Sequence, residues 1–118
     1  MPKISPQQCI FCQVAAHKSP AEIEYEDDDV VAFWDVNKKA PVHILIIPRR
    51  HIESVHDLTP EHAKIIARMV LVAKELAEKK DIAQNGYRLV FNVGRHGGQI
   101  VEHLHLHLLG GRKLGPIA

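Results

Sequence analysis

Alternation of apolar and polar positions is the clearest signal along the chain. Ile23-Glu24-Tyr25-Glu26 alternates and predicts a strand, with Asp27-Asp28-Asp29 as the turn that follows. Val30 to Val36 is β-branched and aromatic and predicts the returning strand of a hairpin. After the loop Asn37 to Pro41, the run Val42-His43-Ile44-Leu45-Ile46-Ile47-Pro48 is apolar enough for a central strand, and Pro48 marks its end. Tyr87 to Val93 predicts a further strand after the Asn85-Gly86 turn. The most regular alternation is His103-Leu104-His105-Leu106-His107-Leu108-Leu109. In a strand, residues i, i+2 and i+4 share a face, so this stretch predicts three imidazoles in a row, about 6.5–7 Å apart, with the leucines buried behind them.

Helical spacing occurs twice. Ile10, Phe11, Val14 and Ala15 predict a short helix from Cys9 to His17 that stops near Ser19-Pro20. Thr59-Pro60-Glu61-His62 has the form of an N-cap, a first-turn proline and an acidic first turn. Apolar positions from Ile65 through Leu76 carry that helix to about Lys80. Its apolar stripe is wide, as if it covered both a sheet and a partner subunit. Strands joined by short turns favour antiparallel pairing, so the order helix, three strands, long helix, two strands predicts an α+β domain with a mostly antiparallel five-stranded sheet. One domain over 9–112 is expected, between a polar arm (1–8) and a short tail (113–118).

Composition narrows the function. The chain has 118 residues, 46% hydrophobic and 25% charged, with a formal net charge of +1, so it offers no general electrostatic case for nucleic acid or membrane binding. Met1 to Gln8 has no apolar leader region and no stretch approaches about 18 apolar residues; a cytoplasmic protein is expected. In that setting Cys9-x-x-Cys12 points to metal or redox chemistry more than to a structural disulfide. The 9 histidines add groups that titrate near neutral pH, and three of them share the row described above.

His103 to Leu109 matches the His-φ-His-φ-His-φ-φ pattern (φ apolar) of the histidine-triad nucleotide-binding family. The resemblance extends through Phe33-Trp34-Asp35-Val36, the Pro41-to-Arg50 strand ending in Ile-Pro-Arg-Arg-His-Ile, Asn92, and Gly97-Gly98-Gln99. It covers about Cys9 to Arg112, and Gly110-Gly111-Arg112 is similar to the Hint branch. The resemblance implies a nucleoside phosphoramidase or nucleotidyl hydrolase acting at the α-phosphorus of purine nucleoside 5′-monophosphate derivatives, through a nucleotidyl-histidine. It implies His105 as nucleophile, with His107, His43 and His103 beside it. Asp35 then takes the ribose hydroxyls, Asn92, Gly98 and Gln99 the phosphate or leaving group, and Ile10, Phe11, Phe33 and Val36 the base. Read from the residues alone, those last four are core packing. A homodimer with the long helix near its interface is also implied.

Two features qualify the likeness. Ile100 stands where the Hint branch usually has serine, and Glu102 where an aromatic or apolar residue is usual. An isoleucine side chain neither donates nor accepts a hydrogen bond, so the family's leaving-group contact does not carry over. Cys9 and Cys12 are half a zinc site; some bacterial relatives complete one with histidines that correspond to His51 and His103, which gives a closed, structural Cys2His2 set. Two reduced thiols with His103 as a hydrogen-bond partner is the alternative. Competing functions are a nucleotide-binding or partner-binding module with incidental turnover, which Ile100 favours, and a catalytic zinc held by the histidine row itself. His56, His62 and His96 are expected on solvated surface.

Overall fold

The polypeptide folds around a sheet whose strands come from both halves of the chain. The computed structural model describes residues 6–117; most of the expected N-terminal arm and the last residue of the tail lie outside the described residues. After a 3-10 turn at Pro6–Gln8 come α1 (Ile10–Ala15), β1 (Ile23–Glu26), β2 (Val30–Trp34) and β3 (Val42–Pro48). Short 3-10 turns at Val55–Asp57 and Pro60–His62 lead into α2 (Ala63–Lys79), then β4 (Tyr87–Phe91) and β5 (Leu106–Gly110). Every neighbouring pair is antiparallel and the order is β1-β2-β3-β5-β4, the five-stranded α+β architecture that the pattern predicts. β3, buried along its whole length, lies at the centre.

Alternation divides the sheet into two faces. Val30, Ala32, Ile44, Ile46, Leu106 and Leu108 join Met69, Val72, Ala73 and Leu76 of α2 in one core. Val31, Phe33, Leu45 and Ile47 join Phe11, Val14 and Ala15 of α1 in a second. The apolar stripe of α2 exceeds what the sheet covers, since Val70 and Leu71 stay exposed.

Five expectations need correction. The histidine strand begins only at Leu106, because its partners run out: β3 pairs Ile46 with Leu106 and β4 pairs Phe91 with the same residue. Continuing that register would set Leu104 opposite Pro48, which has no N–H to give, and Leu104 N–H turns instead to the Ile52 carbonyl. β2 stops at Trp34 and β4 at Phe91, both short of the expected ends. α1 ends at Ala15, before His17 takes φ 59 in the left-handed region. His62 is buried rather than solvated, because its Nδ1 accepts the Thr59 N–H at 3.0 Å and so caps the helix start.

A polar clamp closes the β1–β2 hairpin onto α2. Asp27 Oδ1 accepts N–H groups from Asp29 and Val30, both at 2.8 Å, while Oδ2 accepts from Tyr25 Oη at 2.7 Å and Arg68 Nε at 3.0 Å. Burial pushes the carboxyl up, but these donors outweigh it and hold the group at about 2. A depressed carboxyl contributes stability above its unfolded value of 3.8 and loses it as pH falls toward 2. Asp27→Asn is therefore expected to lower unfolding stability by about 2–3 kcal/mol near neutral pH. In urea titrations the gap from wild type should close between pH 4 and 2; a gap independent of pH would contradict the assignment.

Candidate active site

Histidine and glycine residues meet at a cavity of about 750 Å³ on the α1 face of the sheet. The registers set Phe33 opposite Leu45, Leu45 opposite His107 and His107 opposite Val90, so these four side chains form a floor across β2, β3, β5 and β4. Ile10 and Phe11 of α1 wall one end together with Asp35 and Val36 beyond β2. Asn92, Gly98 and Ile100, which follow β4 in the chain, line the cavity as well, as does Val101, which packs against the α1 cluster. His105, whose ring lies 5.2 Å from that of Phe11, and His107 line it too.

The hydrogen bonds fix how each imidazole is used. His105 Nδ1 lies 2.7 Å from the His103 carbonyl oxygen, which can only accept, so Nδ1 carries the proton and Nε2 keeps its lone pair. Lys39 N–H donates to His43 Nδ1 at 3.0 Å, so His43 must hold its own proton on Nε2, 2.9 Å from His107 Nδ1. His107 in turn holds its proton on Nε2. A basic nitrogen on His105 thus stands beside an N–H donor on His107, with ring centroids 5.0 Å apart. That is closer than a regular strand row allows, because the chain before Leu106 has left the sheet. Burial lowers His105 and His43 below the usual histidine range, and burial with the neighbouring His105 and His43 takes His107 to about 4. All three are neutral near pH 7. An uncharged imidazole with a free lone pair is a competent nucleophile.

The carboxylate and amide side chains do narrower work. Asp35 Oδ1 accepts the Asn37 N–H at 2.8 Å and Oδ2 lies 3.4 Å from His43 Nε2. Asp35, His43 and His107 lie close enough to hold a cation, but the Lys39 N–H commits the His43 Nε2 to a proton, which opposes ligation there. Gln99 gives its amide N–H groups to the Glu53 and Val101 carbonyls, and its Oε1 accepts from Gly94 N–H. It braces the loop and does not line the cavity. Asn92 does line it, while its Nδ2 donates to the Gly97 carbonyl at 2.7 Å. Gly97 is required sterically, since a Cβ there would meet the Val93 carbonyl oxygen at 2.3 Å, and Gly98 holds φ +84. Phe11 and Phe33 serve two purposes: they are core residues of the α1 face and cavity walls as well.

His103, expected among the catalytic histidines, turns its ring away from the cavity. Its Nε2 lies 2.8 Å from the Pro48 carbonyl and so carries the proton, leaving the Nδ1 lone pair 3.3 Å from Cys9 Sγ and 3.5 Å from Cys12 Sγ. His51 Nδ1 lies 3.2 Å from Cys12 Sγ. All four ligand atoms fall within 4.8 Å of one another. Tetrahedral zinc with bonds of about 2.0–2.3 Å needs ligand–ligand edges of roughly 3.3–3.8 Å, so the set fits a metal ion. Burial and the neighbouring Cys9 push the Cys12 thiol up to about 12, so a cation there would displace protons as it bound. Phe11 touches both centres edge-on, at 6.0 Å from the His103 ring and 5.2 Å from His105.

Residues invisible to pattern reading also take part. The Lys39 N–H and the His103 carbonyl fix two tautomers through the backbone, and neither has a side-chain signature. Ile117, in the tail, lines the cavity, and Arg88 of β4 holds that tail through a 2.8 Å bond to the Gly115 carbonyl.

Comparison with known proteins agrees with this geometry. Residues 8–116 match the family model described as scavenger mRNA decapping enzyme C-term binding. A purine nucleoside phosphoramidase of Escherichia coli (strain K12) is 49% identical over 111 residues, 94% of this chain and 93% of that one. The crystal structure of a HIT family hydrolase from Legionella pneumophila Philadelphia 1 superposes with a TM-score of 0.90 at 44% identity, covering 92% of this chain and 96% of that chain. A Zn-bound histidine triad family protein from Mycobacterium smegmatis gives 0.80 at 28% identity, covering 92% and 78%. The chain belongs to the histidine-triad family of hydrolases, in its Hint-like branch. Among the described residues no helix is long and apolar enough to cross a membrane.

The low value at His107 has a measurable consequence. The folded state keeps this ring neutral to about pH 4, whereas the unfolded chain protonates it near 6.5. The unfolded state therefore binds more protons between those limits, and the contribution of this ring to stability, complete above 6.5, is lost as pH falls toward 4. An NMR titration should show the His107 ring neutral until pH nears 4; a midpoint near 6.5 would contradict the network.

Proposed function

We propose that the protein hydrolyses purine nucleoside 5′-monophosphate derivatives such as phosphoramidates, through a nucleotidyl-histidine on His105. The observation that carries this reading is the 2.7 Å bond between His105 Nδ1 and the His103 carbonyl, which leaves Nε2 as the free base in the cavity. The E. coli relative, named a purine nucleoside phosphoramidase, supports the substrate class.

In the first step the Nε2 lone pair attacks the α-phosphorus, the phosphorus–nitrogen bond to the leaving group breaks, and the nitrogen departs as an amine with a proton from solvent. The imidazole becomes cationic as the new bond forms, and the His103 carbonyl dipole opposes Nδ1–H throughout. The His107 Nε2–H, backed by His43 and the Lys39 N–H, donates to a phosphoryl oxygen. In the second step water attacks phosphorus, the bond to His105 breaks, and the water's proton returns to solvent, giving the nucleoside monophosphate. Ile10, Phe11, Phe33 and Val36 receive the base and Asp35 the ribose. Asn92 and Gly98 face the phosphate side, and Gln99 holds their loop in place.

Cys9, Cys12, His51 and His103 are read as a structural zinc site, a reading that the Zn-bound M. smegmatis neighbour supports. The ion would cross-link α1 to the segment ahead of β5, with no part in the bond-making steps. We also read the protein as a homodimer, with exposed Val70 and Leu71 of α2 at its interface.

Turnover of adenosine 5′-phosphoramidate tests the reading. Wild type should turn over, and His105→Ala should lose at least about 10³-fold in kcat, the scale of a lost nucleophile. Brief chelator treatment should leave turnover in place, and zinc found with the purified wild type should be missing from Cys12→Ala. AMP binding without turnover would contradict the hydrolase and favour a binding module; metal-free wild type would remove the zinc site.

A further inference from the structure

We propose that Arg112 is a positioning residue for the reaction. By holding the Lys39 carbonyl it keeps the Lys39 N–H on His43 Nδ1, and so sets which nitrogen of His107 offers a proton to the phosphoryl group. The proposal rests on the hydrolase reading above and adds to it a residue that does not line the cavity. It also gives work to Gly110-Gly111-Arg112, a stretch that no step of that reading uses.

Strand register brings the two segments together. β3 and β5 run antiparallel with Val42 opposite Gly110, so the chain leaving β5 passes alongside the chain that enters β3. Gly111 makes that passage at φ +96, and a Cβ on it would come within 2.9 Å of Pro41 Cβ. A side chain there would hold the two backbones apart. Arg112, next in the chain, then reaches the loop before Pro41. Its Nη2 donates to the Lys39 carbonyl at 2.9 Å, while its Nη1 donates to the Lys113 carbonyl at 3.0 Å. One prong of the guanidinium thus stays on its own segment and the other crosses to the loop, a use of the rigid fork that a single ammonium would not match.

The loop needs such a hold. Val36, Asn37, Lys38 and Lys39 are all exposed, and exposed backbone with few partners opens most readily. Its base is closed by the Asp35 N–H on the His43 carbonyl at 3.0 Å, and its first turn by the Asn37 N–H on Asp35 Oδ1 at 2.8 Å. Lys39 gives its N–H to His43 Nδ1 at 3.0 Å and accepts Arg112 on its carbonyl. Only two soft dihedrals separate those groups, so a fixed carbonyl restricts where the N–H points. Without that hold, His43 Nδ1 is free to take a proton itself. His43 Nε2 then presents a lone pair to His107 Nδ1 across 2.9 Å, and His107 must answer with a proton on Nδ1. Its Nε2 becomes an acceptor that faces the phosphoryl oxygens, and the transition state loses a donor.

The test compares wild type, Arg112→Ala and Arg112→Lys by NMR of the resting protein and by turnover of adenosine 5′-phosphoramidate. Arg112 is exposed, so neither substitution disturbs the core. In Arg112→Ala the Lys39 amide should exchange with solvent about 10-fold faster or more, as a released loop does. The nitrogen signal of His43 Nδ1 should move from the acceptor range toward the protonated range. For this variant kcat should fall about 10-fold, less than the full cost of a deleted oxyanion donor, with KM changed by less than about 3-fold. Arg112→Lys, which keeps one donor for the carbonyl, should retain more of kcat than Arg112→Ala. Unchanged Lys39 exchange, an unmoved His43 signal or an unchanged kcat in Arg112→Ala would each overturn the proposal. If wild type itself does not turn over, the hydrolase reading fails, and the ring signal alone decides whether Arg112 sets the His43 tautomer: a shift in Arg112→Ala sustains it, and no shift overturns it.

Discussion

The bond from His105 Nδ1–H to the His103 carbonyl sets the character of the site. At 2.7 Å it fixes the tautomer of His105, and so decides which nitrogen meets the cavity. It exists because the chain at 103–105 is not yet in the sheet. A strand would commit the His103 carbonyl to a neighbouring strand and send the three rings out at even spacing. Instead β3 ends in a proline, the ladder lapses, and the chain bends so that one backbone carbonyl is free to hold a ring. A gap in regular structure thus supplies the orientation that a regular strand would not.

His103 links two centres back to back. Its carbonyl serves the cavity, its Nε2–H is anchored on the Pro48 carbonyl, and its Nδ1 lone pair faces both cysteine sulfurs. Phe11, between Cys9 and Cys12 in sequence, packs edge-on against His103 and His105 alike. The cysteine–histidine cluster is accordingly placed to hold α1 against the segment that positions His105. In the proposed reaction, rigidity at the cluster becomes constancy of the His105 ring angle. A metal ion held there would act on stability and alignment and not on the bonds at phosphorus.

Much of this was legible in the sequence, for identifiable reasons. Alternation tells which side of a strand each residue occupies, so the burial of Leu106 and Leu108 was readable. The antiparallel pairing follows from short turns, and the long helix from its spacing and its proline start; that β5 lies beside β3, with β4 outside it, has no signal in those turns. Alternation cannot tell where a strand's partners stop, and so the even row of histidines at 103–107 did not survive register with Pro48. His62 has the spacing of a surface residue and is buried because its Nδ1 caps Thr59, a role that depends on rotamer rather than pattern. Gln99 stands in a motif that resembles a phosphate loop, yet its amide is spent inside that loop. The Lys39 N–H is a backbone group, and no residue identity could have revealed it.

The central claim is a covalent bond between phosphorus and one named nitrogen. Rapid quenching of wild type with an adenosine 5′-phosphoramidate, followed by peptide mapping and NMR of the modified imidazole, addresses it directly. The expected result is a transient adenylyl group on His105, attached at Nε2, with Nδ1 still protonated. Attachment to His43 or His107, or at Nδ1 of His105, would contradict the geometry on which the account depends.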